Sequence, residues 1–343
     1  MQLILYIKIA VILNFTYMKQ ILSTLILTII LSNYVFAQSE ILRTPDERFA
    51  NLVDYDFQPN YIEVEEGLRM HYVDEGNKDK PIVLLLHGEP TWSYLYRDMI
   101  PLLKDNGFRV IAPDLIGFGK SDKFSDKNEY TYERSVRWIE TFIEKLDLKE
   151  IVLFCQDWGG LIGLRVASES PNRFAMIIAS NTALPTGVKK LPEEFFNWLN
   201  FSQNTPDFNA GAIVNRGTRR KLSAEEMAAY DAPFPSEKYK GAARIYPALV
   251  PLTADDSQAV ANEKAWKKLR KWKKPFLTIF GVSDRITGWS QELFKSQIPG
   301  AKEQDHKVLN ARHFIQEDES KELARLIIEF YRKNTANKKI KHH

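Results

Sequence analysis

Short, wholly apolar runs recur along this chain at Ile82 to Leu86, Val110 to Ala112, Ile151 to Phe154, Met176 to Ala179 and Phe276 to Phe280. Runs of this length without polar alternation predict strands buried on both faces, as in a parallel sheet. Tyr61 to Glu65 and Leu68 to Asp74 instead alternate apolar and polar residues around Gly67, which predicts an antiparallel start. Helical spacing fills the gaps, for example at Tyr132 to Leu146 and Leu161 to Ser168. Strands alternating with helices predict an α/β fold with a mostly parallel, doubly wound sheet.

Between Ser180 and Phe276 about 95 residues break this rhythm. They carry no strand pattern, and Pro185, Pro192, Pro206, Pro233, Pro235, Pro247 and Pro251 cut them into short helical pieces. The chain therefore reads as a core over 38–183 and 256–335, interrupted by a helical cap over 184–255 and followed by a disordered tail over 336–343. The Lys/Trp-rich stretch 262–274 is predicted to be a helix returning to the core, its basic residues forming a solvated face.

Residues 1–37 differ from the rest: they hold no acid, only Lys8 and Lys19 as charges, and an apolar run from Ile21 to Ile30. Read from Met18, the segment has the basic start, apolar stretch and Val35-Phe36-Ala37 end of a cleaved signal peptide. As an uncleaved anchor, Ile21 to Leu31 is short of the ~20 residues that a membrane span needs. The expected location is therefore outside the cytoplasm, periplasmic or secreted, with mature protein beginning at Gln38.

Composition narrows the function. With 44% hydrophobic and 27% charged residues the chain can bury a large core, and a net charge of +3 gives no field that would draw a nucleic acid. One cysteine, Cys155, excludes an intramolecular disulfide and a cysteine-rich zinc site, so no metal or other cofactor is expected.

The strand Ile151 to Phe154 runs into Cys155-Gln156-Asp157-Trp158-Gly159-Gly160 and then a helix. Strand, sharp turn and helix are the setting of a nucleophile elbow, in which small residues leave one side chain exposed above the sheet. Here that residue is Asp157. The competing reading is an aspartate that merely caps the helix. After Ile82 to Leu86 comes His87-Gly88-Glu89-Pro90-Thr91-Trp92, a loop placed to supply one oxyanion-hole amide, that of Glu89, with Trp158 supplying the other. His87 reads as a buried residue that holds the turn. The glycine-rich turn Asp114 to Ser121 lacks the spacing of a phosphate loop. His313 precedes the last amphipathic helix, Lys321 to Tyr331, and Asp284 follows the strand ending at Phe280. Nucleophile, acid and histidine thus occur in the chain order of an α/β-hydrolase. The alternative acid position, after Ser180, holds the uncharged Asn181.

With these motifs, and with His87 to Arg97, Gln156 to Gly160 and Tyr230-Asp231-Ala232-Pro233-Phe234-Pro235, the chain resembles a haloalkane dehalogenase from about Phe49 to the last helix. The resemblance is to the branch with Glu after His-Gly and its acid after the later strand. It implies an α/β-hydrolase fold with a cap, Asp157 as nucleophile, His313 as base, Asp284 as its acid, and a halide held between Trp158 and a cap tryptophan, by position Trp198. A haloalkane and water are then the substrates, and an alcohol, a halide ion and a proton the products. A carboxylate nucleophile fits this chemistry on its own terms: at an ester it forms a reactive anhydride, whereas at a saturated carbon it forms a stable alkyl ester. The same logic admits an epoxide hydrolase, for which Tyr230, Tyr239 and Tyr246 are the candidate proton donors. A catalytically silent member of the fold that only binds a ligand or partner is the third reading.

Overall fold

The computed structural model describes residues 6, 15, 17–23 and 40–340. The expected targeting segment is described only at 6, 15 and 17–23, and its cleavage site at Val35-Phe36-Ala37 lies outside the described residues. No helix among the described residues is long and apolar enough to cross a membrane. From Ile41 onward the chain forms one unit.

The strands are β1 (Ile41–Leu42), β2 (Asn60–Glu65), β3 (Leu68–Glu75), β4 (Ile82–Leu86), β5 (Arg109–Pro113), β6 (Lys123–Phe124), β7 (Ile151–Gln156), β8 (Phe174–Ser180), β9 (Phe276–Gly281) and β10 (Lys307–Leu309). Eight of them form one sheet in the order β10-β9-β8-β7-β4-β5-β3-β2, while β1 pairs with β6. From β10 to β5 every pair is parallel, and β3 joins β5 and β2 antiparallel. Every residue of β7, β8 and β9 is buried, which is why their sequences show apolar runs rather than alternation. Strand β10 is short and at the sheet edge, with Val308 exposed, so it leaves almost no hydrophobic signature.

Strand β4 pairs with β5 on one side and β7 on the other, so the direction of winding reverses there. In doubly wound sheets the crevice at such a reversal, beyond the carboxyl ends of the strands, is where ligands bind. The register sets Leu86 beside Cys155, Gln156 beside Ser180 and Leu309 beside Gly281, bringing the loops after β4, β7, β8, β9 and β10 to one rim.

The segment read as a cap lies within the same unit as the core. It contributes the helices Glu193–Asn204, Ala210–Arg216, Ala224–Asp231 and Gly241–Ile245. A reciprocal capping box between Ser223 and Glu226 starts the third of these, satisfying two otherwise unpaired amides. An ionic cluster joins this segment to the core. Arg97, after β4, grips buried Glu317 at 2.6 and 3.0 Å and Glu226 at 2.9 Å, and Tyr230 donates to Glu317.

Three expectations need correction. The helix placed over 262–274 runs from Ser257 to Leu269, because Asp256 caps it by accepting the Gln258 amide at 2.7 Å. Its lysines 264, 267 and 268 do face solvent, while Trp266 and Trp272 are buried. The last helix spans Ile315–Ile340 with a non-helical break at Glu319, starting before Lys321. It also overrides the disordered tail expected from residue 336: Ala336, Lys338 and Lys339 are good helix formers, and no glycine or proline stops the helix before Ile340.

Candidate active site

Asp157 sits between β7 and the helix Trp158–Glu169 with φ 50° and ψ −125°, a conformation seldom held by a side-chain-bearing residue. The turn is held from both ends: the Asp157 amide donates to the Asn181 carbonyl at 3.0 Å, and its own carbonyl accepts from Gly160, Leu161 and Thr182. Two glycines make the elbow possible. A β-carbon at Gly88 would collide with the Asp157 carboxylate, and one at Gly159 would strike the backbone of Leu86 and His87.

The Asp157 carboxylate meets a different group at each oxygen. Its Oδ1 accepts the Glu89 amide at 2.9 Å, and its Oδ2 lies 3.5 Å from Nε2 of His313. Trp158, the first residue of the following helix, has an amide that the helix itself leaves unpaired. The indole of Trp158 is buried edge-on between Tyr132 and Tyr246, at ring separations of 5.0 and 4.7 Å.

His313 presents Nδ1 to Oδ1 of Asp284 at 3.2 Å. Asp284 is fixed beforehand, accepting the amides of Ile286 and Thr287 at 3.1 and 3.3 Å and the Thr287 hydroxyl. Burial disfavours the Asp284 carboxylate, but His313 and these donors outweigh it and hold the group below the usual aspartate range. Burial likewise disfavours the imidazolium, yet Asp284 and Asp157 together push His313 up to about 10. Asn181, rejected as the acid, has a positioning role instead. Its amide donates to the carbonyls of Arg312 and His313 at 2.8 and 2.9 Å, and its oxygen accepts the Gly281 amide at 2.8 Å, tying the acid strand to the histidine loop.

His87 is fully buried and structural: Nδ1 donates to the Gly88 carbonyl and Nε2 accepts the Leu115 amide, each at 2.9 Å. The glycine-rich turn is likewise internal. Asp114 accepts the amides of Ser93 and Lys120 at 2.7 and 2.8 Å and binds His71 at 2.8 Å, which joins the turn to the loop after β4.

A cavity of about 590 Å³ opens over Asp157. Its wall is mostly apolar, with Leu161, Phe195, Ile213, Val250, Ile286 and Phe314 among the lining residues, and Glu89, Trp158, Trp198 and His313 also face it. Trp198 comes from the helix Glu193–Asn204, stacks on Phe201 at 5.7 Å, and lines the cavity together with Glu89. Trp289, unremarked in the sequence, lines the cavity too, but its N–H is engaged by the Ile286 carbonyl at 3.0 Å. Its position in the loop after the acid strand was the available signal. No tyrosine lines the cavity among the described residues. Tyr230 is committed to Glu317, and Tyr246 to Ser135 at 2.9 Å.

Comparison with known proteins gives the family and the fold. The family pattern described as the alpha/beta hydrolase fold matches residues 81–320. A haloalkane dehalogenase of Psychrobacter cryohalolentis is 51% identical over 300 residues, covering 86% of this chain and 99% of the relative. One from Mycolicibacterium paratuberculosis is 50% identical over 292 residues, covering 84% and 97%. Among solved structures, the tetrameric haloalkane dehalogenase DpaA of Paraglaciecola agarilytica superposes with a TM-score of 0.78 at 37% identity, covering 84% of this chain and 97% of that one.

Proposed function

This chain belongs to the haloalkane dehalogenase family of the α/β-hydrolase fold, and from that premise we propose that Asp157, His313 and Asp284 carry its reaction, with Trp158 and Trp198 binding the halide. It is a hydrolase acting on carbon–halide bonds. The observation that carries the residue assignment is the division of labour at Asp157. Oδ1 is already held by the Glu89 amide, which leaves Oδ2, on the His313 side, as the attacking oxygen.

Oδ2 displaces halide from a saturated carbon, forming an alkyl ester and leaving Oδ1 as its carbonyl oxygen. Indole N–H donors suit the departing ion, because they offer a hydrogen bond from an otherwise apolar surface. Esterification removes the negative charge of Asp157, one of the two acids that hold the His313 proton. The imidazolium then becomes more acidic after the first step than before it, and releases its proton to solvent to leave a neutral imidazole, which orders the reaction. Neutral His313 takes a proton from water, and the hydroxide attacks the ester carbonyl. The amides of Glu89 and Trp158 stabilise the oxyanion on Oδ1, while Asp284 balances the imidazolium. Collapse releases the alcohol and restores Asp157. Haloalkane and water have become alcohol, halide and a proton, and every atom is accounted for without a cofactor.

An epoxide hydrolase needs an acid donor on the opposite wall, and none of Tyr230, Tyr239 and Tyr246 lines the cavity, Tyr230 being held by Glu317 and Tyr246 by Ser135. Halide release from 1,2-dibromoethane, measured beside turnover of a simple epoxide, tests the reading. Bromide release without epoxide turnover is expected; epoxide turnover alone would favour the rival, and neither would favour a silent binding protein. Export through residues 1–37 is proposed on the sequence, from the missing acids, Lys19 and the apolar run. Amino-terminal sequencing of protein recovered outside the cytoplasm checks it, with Gln38 expected first.

A further inference from the structure

The mechanism above uses the amide of Glu89 and leaves its side chain without a task. That side chain is nevertheless inside the site. The residue is 4% exposed, lines the cavity with Asp157 and Trp158, and has an Oε1 that is buried with no hydrogen-bond partner. Trp158 and Trp198 line the same cavity wall. Glu89 therefore stands in the same cavity as the donors that the proposed reaction assigns to the halide.

An ionised Glu89 and a halide would place two negative charges in one cavity, beside a third on Asp157. A protonated Glu89 removes the conflict, because a neutral carboxyl does not repel the ion and presents a hydroxyl donor. From this juxtaposition we infer that Glu89 is the proton-linked member of the halide site: the ion enters the donors of Trp158 and Trp198 together with a proton on the Glu89 carboxyl, and loss of that proton expels the ion by charge repulsion. The inference rests on the reading of Trp158 and Trp198 as halide donors. No bond to carbon is involved. A proton moves between solvent and one carboxyl oxygen as the ion enters or leaves, so the acid and the halide, both products of the reaction, depart together.

The titratable groups facing Glu89 come from several elements: Asp157 on the nucleophile turn, His313 on the loop after β10, and Tyr246 on the short 3₁₀ helix Tyr246–Leu249. Glu194 and Arg216 line the same cavity. Burial first and Asp157 second hold the Glu89 carboxyl well above the usual glutamate range, with His313 and Trp198 offsetting them in part. His313 keeps its own proton up to about 10, so near neutrality its charge is constant and Glu89 is the group free to change.

The test is saturable quenching of tryptophan fluorescence by bromide in the full chain, from about pH 5.5 to about 8.5, for wild type, Glu89→Gln and His313→Gln. In wild type the dissociation constant should rise with pH, approaching about tenfold per unit on the alkaline limb, as linkage to one proton requires. Glu89→Gln, which cannot titrate, should bind bromide with little pH dependence, and His313→Gln should keep the wild-type slope. A slope that survives in Glu89→Gln and vanishes in His313→Gln would overturn the inference, placing the proton on the histidine. Calorimetry of wild type in buffers of different ionisation enthalpy reads the same quantity without a variant: proton uptake on bromide binding supports the inference, and none at any pH overturns it. Absence of saturable bromide binding at every pH is a separate result, because it overturns the reading of the halide site itself.

Discussion

Nδ1 of His313 lies 3.2 Å from Oδ1 of Asp284, an oxygen that also accepts the amides of Ile286 and Thr287. The acid is therefore anchored by its own loop and orients the histidine rather than following it. Asp284→Asn removes the charge that balances the imidazolium while keeping the shape. Ester hydrolysis should slow on the order of 10²- to 10⁴-fold, with alkylation largely spared. Rapid-mixing measurement of halide should show a burst of about one equivalent followed by a slow phase. Near-normal turnover would mean that the acid lies elsewhere.

His313→Gln separates the two chemical steps more completely. Because His313 acts only on water, the variant should still be alkylated and should accumulate the ester on Asp157. Intact mass after incubation with a bromoalkane should rise by the mass of the alkyl group, located to Asp157 by peptide mapping. Folded protein that stays unmodified would remove either Asp157 or His313 from its assigned role.

Trp198→Phe keeps an aromatic ring against Phe201 and removes the N–H. Loss of one hydrogen bond to an ion costs about 1.5–3 kcal/mol, or roughly 10- to 150-fold in halide affinity. Fluorescence titration with chloride or bromide checks this, and dechlorination should weaken with it. Unchanged binding and turnover would assign the donor to another residue.

The pH dependence of stability carries a sign for His313. Its pKa is raised from 6.5 to about 10 on folding, so its contribution is complete below about 6.5 and is lost as the pH climbs to about 10. Buried Lys123 acts oppositely: burial brings it down from 10.5 to about 7, and stability gains as the pH rises between those values. The difference between wild type and His313→Gln isolates the histidine. Urea unfolding at a series of pH values should show the wild-type advantage shrinking through that window.

Arg97 and Glu317 form the buried link between the helical insertion and the rim. Arg97→Met leaves Glu317 buried without the partner that binds both its oxygens, and such breaks cost about 3–5 kcal/mol. Denaturant unfolding should show a loss of that order. Arg220 also pairs with Glu317, and a loss under about 1 kcal/mol would mean that Arg220 and Tyr230 suffice to hold it.

Much of this protein is legible in local sequence. The apolar runs become β4, β5, β7, β8 and β9 because strands covered on both faces need no polar positions, and the strand-turn-helix context singles out Asp157. Asp284 and His313 are legible through chain order, and His87 through the backbone task of its loop. Other features depend on contacts between residues far apart in the chain, which no local period encodes. Pairing of β4 with β7 decides that Gly88 must be a glycine, since it determines that the Asp157 carboxylate arrives there. Strand β10 is too short to announce itself, and the role of Asn181 exists only because β8 and β9 are neighbours. Tyr230 and Tyr246, candidate proton donors by composition, are withdrawn from that role by Glu317 and Ser135. Glu89 shows the same division: its place in the loop assigns the amide, but only the folded structure puts its side chain in the cavity with Trp158 and Trp198, where burial and the charge of Asp157 act on it.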